Sequence, residues 1–136
     1  MKIYLGFILL VLASCHENDS KKIIVRTYFS ETKNVHISFT EINGKKEGQE
    51  FVYYPDGNIR TITTYRGGKK QGWQYWFFNS GTLDGDRLWI DNKKNGYCND
   101  YYDTTGNTKT SLLYENDHLL YRETFDTNGV VINIEK

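Results

Sequence analysis

The chain has 136 residues, enough for one domain, and carries 17 basic and 17 acidic side chains. That balance excludes the electrostatic footprint of a nucleic-acid binder, which requires a basic excess. Three Trp, eleven Tyr and seven Phe stand beside twelve Gly and a single Pro, a composition that favours strands joined by turns and hence an all-β fold.

The first element is a leader. Ile3 to Ala13 is an apolar run behind Lys2, too short for a membrane-spanning helix, which needs about 20 residues. A charged start, a short apolar stretch and small residues before a break describe a secretory signal peptide over residues 1–14. The break, Leu12-Ala13-Ser14-Cys15, resembles the lipobox of bacterial lipoproteins. That resemblance implies cleavage before Cys15, lipidation of its sulfur and acylation of the new amine, with palmitate-type chains. Two or more acyl chains hold a protein at a membrane where one binds only marginally. The expected location is therefore the bacterial cell envelope, lipid-anchored, at the outer membrane and facing the periplasm or the surface. An ordinary cleaved signal is the alternative. Removal of residues 1–14 leaves 16 basic against 17 acidic side chains and Cys98 as the one remaining thiol besides Cys15. Residues 15–22, apolar-free after the Cys, read as a disordered tether, and 23–136 as the folded domain.

A repeat follows. Gly44-Lys45-Lys46-Glu47-Gly48 recurs as Gly68-Lys69-Lys70-Gln71-Gly72 and Asn92-Lys93-Lys94-Asn95-Gly96, so Gly48, Gly72 and Gly96 stand 24 apart, as do Tyr53, Phe77 and Tyr101. A fourth copy, Asn116 to Ile134, and a partial first one, Ile23 to Ile42, lack these elements, as terminal repeats do. Each copy carries two turns. Asn43-Gly44, Gly67-Gly68, Asp91-Asn92 and Asn116-Asp117 suit two-residue type I′ turns. The longer turns close on Gly57, Gly81, Gly106 and Gly129, in the form of a type I turn with a glycine bulge. Aromatic-rich segments lie between them, and none has helical spacing. The expected fold is an elongated, single-layer antiparallel meander of stacked β-hairpins with about ten strands.

The G-K-K-x-G element, the aromatic pair and the later glycine resemble the MORN-repeat variant of bacterial proteins, over about 100 residues from near His36 to Ile134. The resemblance implies stacked hairpins and no catalytic residues. Members are often labelled the antitoxin component of a toxin–antitoxin system, a role at odds with an anchor at Cys15.

Two-residue turns set the register and so divide the side chains between two faces. Counting from Gly67-Gly68 places Ile62 opposite Trp73, Arg60 opposite Tyr75 and Ile59 opposite Trp76. One face then collects Ile59, Tyr65, Trp76 and Phe78, with Val52, Tyr54, Leu83, Trp89, Tyr102, Tyr114, Ile37 and Phe39 in other copies, and is expected to be the core. The other face is mixed: Phe51, Tyr53, Trp73, Tyr75, Phe77, Tyr97 and Tyr101 interleave with His36, Ser38, Arg60, Thr64, Asp84 and Asp86. Tyr, Trp and Arg dominate binding hot spots, so Phe51, Tyr53, Arg60, Trp73, Tyr75, Phe77, Tyr97 and Tyr101 form the expected binding surface. Cross-strand ring pairs also stabilise a sheet without any ligand. The lysine pairs line one long edge, as edge protection or as attraction for an anionic surface.

Histidines are few, and no metal-ligand spacing or phosphate-binding loop occurs. The expectation is a non-enzymatic protein without cofactor or metal, anchored to the membrane through Cys15, that binds a macromolecule, a protein first. A glycan or envelope polymer stacked on the same rings is the alternative, as is a toxin neutralised by an immunity-type protein.

Overall fold

The computed structural model describes residues 21–136; the expected leader, Cys15 and the expected tether up to Ser20 lie outside them. Ten strands follow one another: β1 (Lys22–Tyr28), β2 (Val35–Ile42), β3 (Lys45–Tyr53), β4 (Ile59–Arg66), β5 (Lys69–Phe77), β6 (Leu83–Ile90), β7 (Lys93–Tyr101), β8 (Thr108–Glu115), β9 (His118–Phe125) and β10 (Val131–Glu135). They form one antiparallel sheet in strict chain order, with no helix among the described residues. The all-β, single-layer meander of stacked hairpins is thus the architecture. Its first strand starts one residue earlier than Ile23, and the Lys21 N–H already donates to the Asn43 Oδ1 at 2.9 Å.

The turns obey their residue chemistry. Both residues of each short turn have positive φ: Asn43 and Gly44 (52° and 74°), Gly67 and Gly68 (58° and 86°), Asp91 and Asn92 (51° and 68°), Asn116 and Asp117 (51° and 72°). This is the type I′ form, whose twist matches that of the strands. In the long turns the Gly57 N–H donates to the Tyr54 carbonyl and the Tyr54 N–H to the Asn58 carbonyl, and Gly81, Gly106 and Gly129 repeat the pattern. The β1–β2 turn uses Lys33 at φ 63° in the position glycine takes elsewhere.

Neighbouring turns are bonded to one another. The x of each Lys-Lys-x-Gly carries a side-chain oxygen that accepts from the backbone N–H of the next short turn: the Glu47 carboxylate from Gly67 at 2.7 Å, the Gln71 amide from Asp91 at 3.0 Å and the Asn95 amide from Asn116 at 3.1 Å. On the opposite edge the Tyr54 hydroxyl donates to the Phe77 carbonyl and the Tyr102 hydroxyl to the Phe125 carbonyl, both at 2.8 Å. One repeat therefore satisfies backbone groups of the next, as a linear array requires.

The register departs from the count in two ways. After Arg66↔Lys69 and Tyr65↔Lys70, the next pair is Thr63↔Gln74, so Thr64 alone faces Gln71, Gly72 and Trp73. The Thr64 hydroxyl spans the gap by donating to the Trp73 carbonyl at 3.0 Å. Phe39 and Leu88 face three residues in the same way, around Gly48 and Gly96. Gly48, Gly72 and Gly96 all have positive φ, which is why this mid-strand position is glycine. Trp76 consequently pairs with Thr61, not Ile59, and Tyr75 with Ile62, not Arg60. A shift of two leaves every side chain on its expected face.

The second irregularity is a one-residue bulge at Arg60, Asp84 and Lys109, each left unpaired between Thr61 and Ile59, Gly85 and Leu83, or Thr110 and Thr108. A shift of one reverses sides. Ile59 pairs with Tyr53 and Leu83 with Phe77, so both leave the expected core face for the mixed one.

The core is a stripe rather than a volume. Glu50↔Thr63↔Gln74↔Arg87↔Cys98↔Leu112↔Arg122 run in register across seven strands. Cys98 is fully buried, and Thr63 and Gln74 are 2% and 6% exposed. Its central polar members are bonded, as burial demands: Gln74 donates to the Thr63 hydroxyl at 3.0 Å, and Glu50 is paired with Lys46. Beside the stripe the second lysine of each pair lies across a ring. Lys46 stands 4.4 Å from the Phe39 centroid and 5.0 Å from that of Tyr65, Lys70 4.3 Å from Trp89, and Lys94 4.7 Å from Tyr114. Long basic side chains thereby cover the aromatic face that a second layer covers in a sandwich.

Candidate functional site

The opposite face is built on the row Ser38↔Phe51↔Ile62↔Tyr75↔Asp86↔Asn99↔Ser111↔Glu123. Strand alternation adds Tyr53 and Phe77 on one side of that row and Trp73 and Tyr97 on the other. Rings two residues apart along a strand stack, Phe51 on Tyr53 at 6.4 Å and Trp73 on Tyr75 at 6.1 Å with 17° between planes. Trp73 pairs with Leu88, and Tyr97 with Leu113, which pairs onward with Tyr121. Trp76, three residues after Trp73, lies on the stripe side under the Arg87 guanidinium at 4.7 Å. Phe51, Tyr53, Trp73, Tyr75, Phe77, Tyr97 and Tyr101 therefore share one face.

Two charged residues expected on it do not belong there. Arg60 is the extra residue of a bulge, and its guanidinium lies 5.7 Å from the Tyr54 ring instead of opposite Tyr75. Asp84, the equivalent bulge residue, has its carboxyl held above the usual range by burial and then by the neighbouring Asp100 charge. Asp100 is bonded to Arg87 on the stripe side. A bulge turns its extra residue toward the side of its neighbour, here Thr61 and Gly85. His36, also unpaired, packs on Phe29 with centroids 4.4 Å apart.

Asp86 is as expected on the mixed face and is 8% exposed. Its Oδ2 accepts from the Tyr101 hydroxyl at 2.5 Å and its Oδ1 from the Asn99 amide at 3.2 Å. Burial, and then the Asp86 carboxylate, push the Tyr101 phenol up to about 12. Sequence reasoning passed over Asn99, although it stands 24 residues after Tyr75 and 48 after Phe51, the copy in which an amide takes the place of a ring. Ile59 and Leu83 were also assigned to the wrong side, for want of the bulges.

The two faces differ in what they leave open. From β1 to β7 the large apolar side chains that stay exposed are Ile24, Tyr28, Ile59, Trp73, Ile90 and Tyr97. Pairing and alternation put all six on the mixed face. Tyr97 is 56% and Trp73 41% exposed. An open groove of about 400 Å³ lies at the turn end of the sheet, between Gly57–Ile59 and Phe77, Ser80 and Gly81. Among the described residues no three His, Cys, Asp or Glu side chains converge, and no helix is long and apolar enough to cross a membrane.

No protein-family model, curated protein or solved structure matches the chain.

Proposed function

We propose that this is a non-enzymatic MORN-type β-repeat protein, anchored in the bacterial envelope through lipid on Cys15, that binds a macromolecule with its mixed face. The partner is a protein. The observation that carries the reading is the asymmetry of a single-layer sheet. Over β1 to β7 one face covers its rings with its own lysines and arginine, while the other keeps Trp73, Tyr97 and four further apolar side chains in water. Exposed rings and aliphatic side chains gathered on one face among polar groups are the composition of an interaction surface. The anchor rests on the Leu12-Ala13-Ser14-Cys15 sequence.

The double variant Trp73→Ala/Tyr97→Ala tests the face, because both side chains are exposed and their loss leaves the stripe intact. Crosslinking in envelope extracts should recover a partner protein with the wild type and at least about tenfold less with the variant, as for hot-spot rings. Unchanged recovery by the folded variant refutes the reading. Retention by an envelope polysaccharide gel, lost in the same variant, would instead assign the face to a glycan. Metabolic labelling with a fatty acid should mark the wild type and not Cys15→Ala.

A further inference from the structure

The geometry points to Asp86 as the receptor for an arginine side chain of the partner, stacked against Tyr75 and paired with the carboxylate between Tyr75 and Tyr101. The inference rests on the mixed face being the binding surface, and it names the chemistry recognised there.

The argument starts from the same strands seen from the other side. On the stripe face, β5, β6 and β7 contribute Trp76, Arg87 and Asp100. The Arg87 guanidinium lies 4.7 Å from the Trp76 centroid and donates to the Asp100 Oδ1 at 2.8 Å. Ring, guanidinium and carboxylate are complete within the chain. On the mixed face the residues one position earlier are Tyr75, Asp86 and Asn99, in cross-strand register. Here the ring and the carboxylate are present and the cation is missing. Among the described residues no Lys, Arg or His nitrogen lies within 4.0 Å of Asp86. The row from Phe51 to Glu123 holds two acids and no base.

A carboxylate that is mostly buried and lacks a countercharge is costly unless hydrogen bonds or a cation compensate it. Tyr101 and Asn99 supply one hydrogen bond to each oxygen, which leaves accepting capacity on both. They also hold the carboxylate fixed, so an incoming cation meets a preorganised acceptor. Trp73 stacks on Tyr75 and extends the ring surface along β5. A planar guanidinium uses both features at once, lying on a ring while donating to a carboxylate, whereas a compact ammonium uses chiefly the charge.

The test is an NMR titration of the full chain in detergent micelles with the peptide acetyl-Gly-Arg-Gly-amide, read at the three tryptophan indole N–H signals. Trp73 reports the mixed face, while Trp76 and Trp89 report the stripe face and act as internal controls. The arginine peptide should shift the Trp73 signal alone. The same peptide with citrulline, which keeps the shape and removes the charge, should not. Asp86→Asn should weaken the arginine peptide roughly tenfold, as expected for a hydrogen bond to a charged group. Equal shifts with citrulline, shifts confined to Trp76 and Trp89, or unchanged affinity in Asp86→Asn would each overturn the assignment. The citrulline comparison needs no variant and so decides the matter even where Asp86→Asn fails to fold. Partner recovery that is lost in Trp73→Ala/Tyr97→Ala but full in Asp86→Asn would overturn the arginine receptor and leave the binding face standing.

Discussion

At the scale of single residues, stability rests on a few positions that leave no room for change. Gly85 is one. A Cβ there would lie 2.9 Å from the Asn99 carbonyl oxygen and 3.1 Å from the Asp100 Oδ1, and the former is backbone that cannot move aside. Gly85 occupies the position that Thr61 and Thr110 take in the neighbouring copies, and its bareness leaves room for the Arg87–Asp100 pair. Gly85→Ala should lower the unfolding free energy by about 1–3 kcal/mol, the usual cost of overpacking, measured by urea denaturation. Two tyrosines set an alkaline limit. Tyr65, which donates to Glu50, and Tyr101, which donates to Asp86, are both raised from 10.0 to about 12, chiefly by burial. In the unfolded chain they ionise near 10, so the unfolded state loses protons first. Their contribution is full below pH 10 and disappears as the pH rises toward 12. Unfolding free energies measured between pH 9 and 11 should fall for the wild type and fall less steeply for Tyr65→Phe/Tyr101→Phe.

At the scale of elements, the hairpin is the unit and its turns carry the instructions. Asn, Asp and Gly at the short turns accept positive φ at both positions, and all four turns named by those residues form. The β1–β2 turn is the exception that tests the rule. Lys33 holds φ 63° without the freedom of glycine, while its N–H donates to the Phe29 carbonyl at 3.1 Å as a turn glycine would. Lys33→Gly should raise stability by about 1 kcal/mol, the cost of a left-handed side-chain-bearing residue, seen as a higher melting temperature. The bulges were less legible. Gly48, Gly72 and Gly96 recur inside strands, and an isolated strand glycine marks a bulge; their period was plain, but the number of residues each inserts depends on how two strands meet. The bulge at Arg60, Asp84 and Lys109 contains no glycine and has no local signature at all.

At the scale of the molecule, ten strands in chain order form a one-dimensional array in which each strand pairs only with its neighbours. Stability should therefore be graded from the middle outward. Every residue of β10 is exposed, and alternate residues of β1 are exposed, whereas the buried stripe peaks at Thr63, Gln74 and Cys98. Hydrogen exchange should be slowest in β4 to β7 and fastest in β1 and β10. The Cys98 thiol, whose pKa burial pushes up, should stay unreactive to aromatic disulfide reagents until the central strands open. Reaction at the rate of terminal fraying would show that the array does not unfold from its ends.

Turn chemistry and a 24-residue period are local properties, so the amino-acid sequence alone determined the number and order of the strands and which aromatic rings share a face. The seven rings of the mixed face were readable from it because the glycine-centred bulge inserts two residues and leaves side-chain parity unchanged. Pairing partners were not readable, because they depend on offsets that accumulate through each bulge along two strands at once. Only the tertiary structure decided that Arg60 and Asp84 leave that face, that Arg87 reaches Asp100 across Trp76, and that Asp86 lies among rings with no cation beside it among the described residues. The physical reason is that a strand's own sequence specifies alternation, while its partner's register specifies contact.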